Sequence, residues 1–126
     1  MARFFWICFS GAAGTGARYL LSGWITRLHG PGFPWGTLAV NAAGSFLLGA
    51  VMQFALASPE LSPTLRLAAT TGFLGGFTTY STFNYETLEL LGKNAPLGAL
   101  NLAVTVGACL VSGLLGGLAG RLLVGR

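Results

Sequence analysis

The sequence predicts an all-α integral membrane subunit of four transmembrane helices, the third of them broken. Three observations carry this prediction. Charged residues make up only 8% of the chain against 53% hydrophobic, where a soluble domain carries about 25% charged residues. Mean hydropathy is +0.70, so the surface suits lipid rather than water. The apolar residues gather into four stretches, at about 4–28, 36–57, 64–91 and 96–124, each with the roughly 20 residues a spanning helix needs. All four lie within one domain of 126 residues.

The first stretch, MARFFWICFSGAAGTGARYLL, places Arg3 before an apolar run as a signal peptide does. No cleavage site leads into a soluble domain and three apolar stretches follow, so it is expected to be retained as the first span. Gly11, Gly14 and Gly16 suit close packing on it. The run His29-Gly30-Pro31-Gly32-Phe33-Pro34 forms a turn that no helix can traverse. In the second span Asn41 and Ser45 lie four apart and share a face. A buried amide in lipid needs partners, and interhelical bonding is the plainest one. Ser58-Pro59 and Ser62-Pro63 bracket Glu60, with Ser62 placed to cap a helix that starts at Pro63.

The middle of the third span reads Gly72-Phe73-Leu74-Gly75-Gly76-Phe77-Thr78-Thr79-Tyr80-Ser81-Thr82-Phe83-Asn84-Tyr85-Glu86. A glycine pair followed by a dense hydroxyl run suits a helix that unwinds inside the membrane. Irregular backbone survives there only when buried in protein or lining a cavity, and it frees carbonyls for cations and N–H groups for anions. The alternative is a continuous helix whose hydroxyls bond back to their own carbonyls. Tyr80 and Phe83, three apart, share a face if the segment is helical there, and aromatic ring edges are electropositive. Gly92-Lys93-Asn94-Ala95-Pro96 ends this span and starts the next. The fourth span carries two overlapping GxxxG registers, Gly113/Gly117 and Gly116/Gly120, and a polar stripe at Asn101, Thr105 and Cys109. A stripe of this kind along an apolar helix suggests a track for something polar.

The net charge of +4 comes from scattered residues rather than a patch, which excludes nucleic acid as a partner. With the N-terminus cytoplasmic, Arg3, Arg66, Arg121 and Arg126 lie inside, and Arg27 and Lys93 outside. That bias is weak. It permits insertion in both orientations, and therefore an antiparallel dimer. Four short helices enclose little space, so a pathway implies a second copy, a homodimer. Arg18, Glu86 and Glu89 are the ionisable groups within spans, where each costs about 2.5–3.5 kcal/mol at mid-helix; Arg18 is read as structural, its head reaching toward an interface. Cys8 and Cys109 sit in apolar runs without CxxC spacing and read as small buried hydrophobes. No nucleophile–base pair or metal-ligand cluster is present and His29 stands alone in a turn, so an enzyme is not expected.

At these residues the sequence resembles the Fluc (CrcB) family of fluoride channels. The likeness covers nearly the whole chain and is most specific at Gly72-Phe73-Leu74-Gly75-Gly76-Phe77-Thr78-Thr79-Tyr80-Ser81-Thr82-Phe83, similar to the family's GxxGGxTTFSTF. Gly36-Thr37-Leu38-Ala39-Val40-Asn41 with Gly44-Ser45-Phe46 resembles GTxxxN…GS, and Gly11-Ala12-Ala13-Gly14 leading to Arg18-Tyr19 is the third match. The resemblance implies an antiparallel, dual-topology homodimer in a microbial inner or plasma membrane. It would pass fluoride down its gradient and lower fluoride toxicity. It further implies a structural sodium ion at the dimer centre on main-chain carbonyls, at positions matching Gly75 and Thr78. The pore aromatics fall on Tyr80 and Phe83, the pore amide on Asn41, the following acid on Glu86, and the fourth-helix track on Asn101, Thr105 and Cys109. Three positions depart from the family pattern: Tyr80 stands where Phe is usual, and Asn101 and Cys109 where Tyr and Ser are frequent.

Fluoride is small and strongly hydrated, so a pore must replace its water with donors. Asn41, Ser45, Thr79, Ser81 and Thr82 supply polar donors, and Phe83 and Tyr80 supply ring edges. The alternative is a small multidrug-resistance type proton-coupled exporter, whose first span carries a membrane-embedded carboxylate; here that span carries Arg18 and no acid. A non-conducting packing subunit would account for the glycines but leave Asn41 and the hydroxyl run without a use.

Overall fold

The computed structural model describes residues 1–125, leaving Arg126 and its share of the charge bias outside the described residues. Among these the chain is helical throughout, with no strand. Helix α1 spans Ala2–His29 and α2 spans Trp35–Ala57. The third segment is divided into α3 Pro63–Leu67, a π-helical stretch Ala68–Leu74, α4 Gly75–Phe77 and α5 Tyr80–Lys93. Helix α6 spans Ala95–Leu123. By length and composition α2 and α6 are apolar enough to cross a membrane. Helix α1 has 28 residues but carries Arg3, Arg18 and Arg27, and the third segment has no single helix of spanning length.

Local chemistry sets most of the boundaries. Gly30 closes α1 with φ 80°, a left-handed conformation that glycine adopts without penalty, and its N–H donates to the Thr26 carbonyl. Ser62 caps α3 by accepting from the Leu65 N–H at 3.1 Å, with Pro63 in the first turn. Asn94 ends α5, its own N–H donating to the Leu90 carbonyl. It then caps α6 by accepting from the Leu97 N–H at 3.2 Å. One residue therefore serves two helices, and the connection needs no longer loop.

Two glycine seams hold the helices together. A Cβ on Gly116 would strike the Phe46 carbonyl, one on Gly49 the Gly113 carbonyl, and one on Gly120 the Ala50 backbone. The GxxxG register of α6 is therefore used within the subunit, against α2. The second seam joins α1 to the third segment: a Cβ on Gly14 would strike the Phe73 carbonyl, and one on Gly76 the Gly11 carbonyl. Such approaches let backbones gain dispersion contacts where lipid supplies no hydrophobic drive. Large apolar side chains point outward instead, as Phe5, Trp24, Leu110 and Leu122 do. Cys8, expected to be buried, lies on this exposed face, while Cys109 is half-buried: the tight seam of α1 is made by glycines, leaving its other faces uncovered.

Candidate functional site: an open groove beside the Thr78–Thr79 turn

Between α4 and α5 the backbone leaves helical geometry. Thr78 has φ −87° and ψ 158°, and Thr79 has φ −150° and ψ 109°. The glycines Gly75 and Gly76 are themselves helical; the extended residues are those that follow. Asn41 of α2 explains the position. Its Oδ1 accepts from the Thr79 N–H at 2.7 Å and its Nδ2 donates to the Thr79 carbonyl at 3.0 Å. One buried side-chain amide thus satisfies both polar groups of one buried residue, groups that would otherwise cost about 1–3 kcal/mol each if left without partners. In a continuous helix the Thr79 N–H would reach the Gly75 carbonyl. Its diversion to Asn41 deprives that carbonyl of its helical donor.

Thr79 also starts α5. Its Oγ1 accepts from the Thr82 N–H at 3.2 Å and donates to the Thr82 hydroxyl at 3.0 Å, with the Ser81 hydroxyl 3.4 Å away. The hydroxyl run therefore acts first as a capping device. Tyr80 and Phe83 follow on α5, ring centroids 5.9 Å apart in an edge-on arrangement. Phe83 is buried and Tyr80 is 77% exposed.

A groove of about 390 Å³ opens beside this turn. It gathers eight of the residues singled out above: Asn41 and Ser45 from α2, Gly75 and Thr78, Tyr80 and Phe83 from α5, and Thr105 and Cys109 from α6. Leu48, Leu74, Val106 and Leu110 complete its apolar walls. A second recess of about 420 Å³ holds Arg18, Thr79 and Thr82, along with Tyr19, Ser22 and Thr37. Arg18 makes no ion pair among the described residues, and hydroxyls line the recess around it.

Three singled-out residues line neither recess. Ser81 is exposed. Glu86 is half-buried beside Thr37, with Oε2 enclosed and lacking a hydrogen-bond partner. Asn101 is fully buried. Its Nδ2 donates to the Thr87 hydroxyl at 2.8 Å and its Oδ1 accepts from Thr105 at 3.1 Å. Thr87, bonded to Asn101, and Thr37, beside Glu86, are neighbours of these residues that sequence reasoning did not single out. Thr37 stands four before Asn41 and Thr87 four after Phe83, so the helical repeat places each on a marked face.

Several hydroxyl protons already have acceptors. Ser45 donates to the Asn41 carbonyl at 2.8 Å and Thr78 to the Leu74 carbonyl at 3.0 Å. A hydroxyl has one proton, so each must rotate before it can donate to an anion. Asn41 has a second amide hydrogen beyond the one on Thr79, and Phe83 adds a ring edge. The groove is consequently neutral, with donors that can be released and no fixed cation of its own.

Comparison with known proteins sets this site in context. Residues 5–118 match the family model described as CrcB-like protein, Camphor Resistance (CrcB). The chain is 53% identical over 125 residues to the fluoride-specific ion channel FluC of Sorangium cellulosum, covering 98% of each chain. It is 51% identical to the protein of that name from Anaeromyxobacter sp. (strain K), over 99% of this chain and 100% of the relative. It is 47% identical to that of Citrifermentans bemidjiense, over 98% and 100% respectively. These are similar to channels rather than enzymes, and with the two apolar helices they make this a membrane protein with multiple spans. A family match over nearly the whole length, with relatives at about half identity end to end, establishes that the chain belongs to the CrcB-like family.

Proposed function

We propose that this protein is a fluoride channel that lets the ion leave the cytoplasm passively and so limits its toxicity. One observation carries the reading: a single groove gathers the amide of Asn41, the hydroxyls of Ser45, Thr78 and Thr105, and the rings of Tyr80 and Phe83 from three parts of the chain. The similar proteins named as fluoride-specific channels point to the same ion. Neutral donors hold a small anion without the grip of a fixed positive charge, which conduction requires. Thr79, Ser81 and Thr82 continue the polar surface past the turn, and Glu86 and Cys109 extend the proposed path along α5 and α6, while Asn101, buried behind Thr105, supports that path without lining it.

The working unit is proposed to be an antiparallel homodimer of four-span subunits with dual topology, the third span broken at Thr78 and Thr79. The groove is open in a single chain, with Tyr80 77% exposed and Gly75 exposed on its wall. Polar backbone is not left facing hydrocarbon, and a second copy is the cover proposed. The freed Gly75 carbonyl and that of Thr78 are hard, neutral oxygen donors of the kind that bind sodium at unwound helices. They fit a structural sodium ion, and the partner copy would supply the rest of its oxygen shell. Arg18 is assigned a structural role in the second recess.

Growth tests the function. A fluoride-sensitive microbe expressing the chain should grow at fluoride concentrations that arrest it without the chain, and Phe83→Ile should remove the benefit. Equal sensitivity with and without well-expressed protein would refute the assignment.

A further inference from the structure

The stripe Asn101, Thr105, Cys109 reads as one polar track, yet its first residue does not face the groove. Asn101 is fully buried, and both ends of its amide are taken by hydroxyls, Thr87 on α5 and Thr105 on its own helix. Thr87 in turn donates to the Phe83 carbonyl at 2.7 Å. Its hydroxyl uses its proton on Phe83 and a lone pair on Asn101, so the chain of bonds runs from α6 through Thr87 to the backbone of the buried ring residue. Thr105, 3% exposed, anchors the far end of the chain while presenting its other side to the groove wall. Helix α5 is thereby fixed at two points: Asn41 holds Thr79 at its start, and Asn101 holds it one turn beyond Phe83.

We infer that Asn101, acting through Thr87, is a positioning residue that sets the place of the Phe83 ring and hence the discrimination between fluoride and larger anions, rather than a contact of the permeating ion. The inference rests on the channel reading proposed above. A ring edge selects by distance, and the bond from Asn101 to Thr87 ties to α6 the turn of α5 that carries Phe83, which limits the axial play of the ring. Without the latch α5 remains helical and capped, but Phe83 gains freedom to retreat. Larger anions then pass.

The test compares four full-length proteins in liposomes by fluoride and chloride efflux: wild type, Asn101→Leu, Thr87→Val and the double variant, with Thr87→Ser as the conservative control. The expected result is a fall of about tenfold in the fluoride-to-chloride ratio for each single variant, the order expected from losing one hydrogen bond. The double variant should be no worse than the worse single, because the two residues act in one chain of bonds. Thr87→Ser, which keeps the hydroxyl, should restore the wild-type ratio. Loss of fluoride flux in Asn101→Leu with a wild-type ratio in Thr87→Val would make Asn101 a direct ion contact and overturn the inference. Variants that lose stability but keep the ratio would reduce the latch to a plain structural cross-link and also overturn it. Amide hydrogen exchange along Phe83–Leu88 separates failure here from failure of the channel reading. If the wild type conducts no fluoride, faster exchange in both single variants confines the failure to the channel reading and leaves the latch as a cross-link without a selectivity role, and unchanged exchange in both removes the latch itself.

Discussion

Asn41 commits both polar ends of its side chain to one residue, and this makes it the most consequential single side chain in the fold. Asn41→Ala leaves the Thr79 N–H and carbonyl without partners, at a cost of about 1–3 kcal/mol for each group. Thermal unfolding in detergent should show the loss, and an unchanged transition would contradict the clamp. Asn41→Asp keeps the acceptor but sets a carboxylate against the Thr79 carbonyl, so flux should fall more than stability does. Phe83→Ile keeps a buried apolar side chain, though a smaller one, and removes the ring edge; folded yield should persist while fluoride flux drops. Tyr80, 77% exposed and without a hydrogen bond among the described residues, should accept Phe within about 0.5 kcal/mol. These outcomes separate residues that hold the turn from residues that face the ion. Sequence pattern alone placed all of them in one list. The groove residues Asn41, Ser45, Tyr80 and Phe83 were legible as polar or aromatic marks on apolar helices, whereas the burial of Asn101 was not, because it depends on Thr87 of a neighbouring helix.

At the scale of elements, the helix ends are written locally and the interior of the third segment is not. Ser62, Pro63, Gly30 and Asn94 act within a turn of where they stand, and each is readable from its neighbours. The departure from helix falls on Thr78 and Thr79 rather than on Gly75 and Gly76 because its partner, Asn41, lies 38 residues away in sequence from Thr79. The π-helical stretch Ala68–Leu74 has no local signal either; it lies where Gly72 meets Ser10 and the Ile7 carbonyl of α1. Glycine content announced close packing without saying which helices meet. The seams now make that specific. Gly14→Ala would drive a methyl into the Phe73 carbonyl, while Gly16→Ala on the same helix meets nothing within 4 Å. The first should destabilise the subunit markedly. The second should be neutral or stabilising by roughly 0.5–1 kcal/mol through helix propensity. Comparable unfolding temperatures for the two would contradict the packing of α1 on the third segment.

At the scale of the whole molecule, the two glycine seams are spent inside the subunit, and the proposed dimer would meet its partner at the groove. Gly75 lies on that surface, and its added Cβ would meet only the Thr70 carbonyl, at 3.7 Å. Gly75→Val should therefore leave the subunit folded and disturb its pairing, seen as a shift from dimer to monomer on size exclusion with helicity retained. A dimer of wild-type yield would contradict the placement of the interface. The charge distribution, with Lys93 held by Glu89 at the end of α5 and Arg27 near the end of α1, gives little orientation bias, so C-terminal reporters should appear on both sides of the membrane. The most direct test of the central claim is efflux from liposomes holding the purified chain, read with a fluoride electrode and a chloride electrode in parallel. The proposed channel predicts rapid fluoride release with chloride largely retained. Chloride leaving as fast as fluoride, or neither ion leaving from vesicles that contain folded dimer, would contradict it.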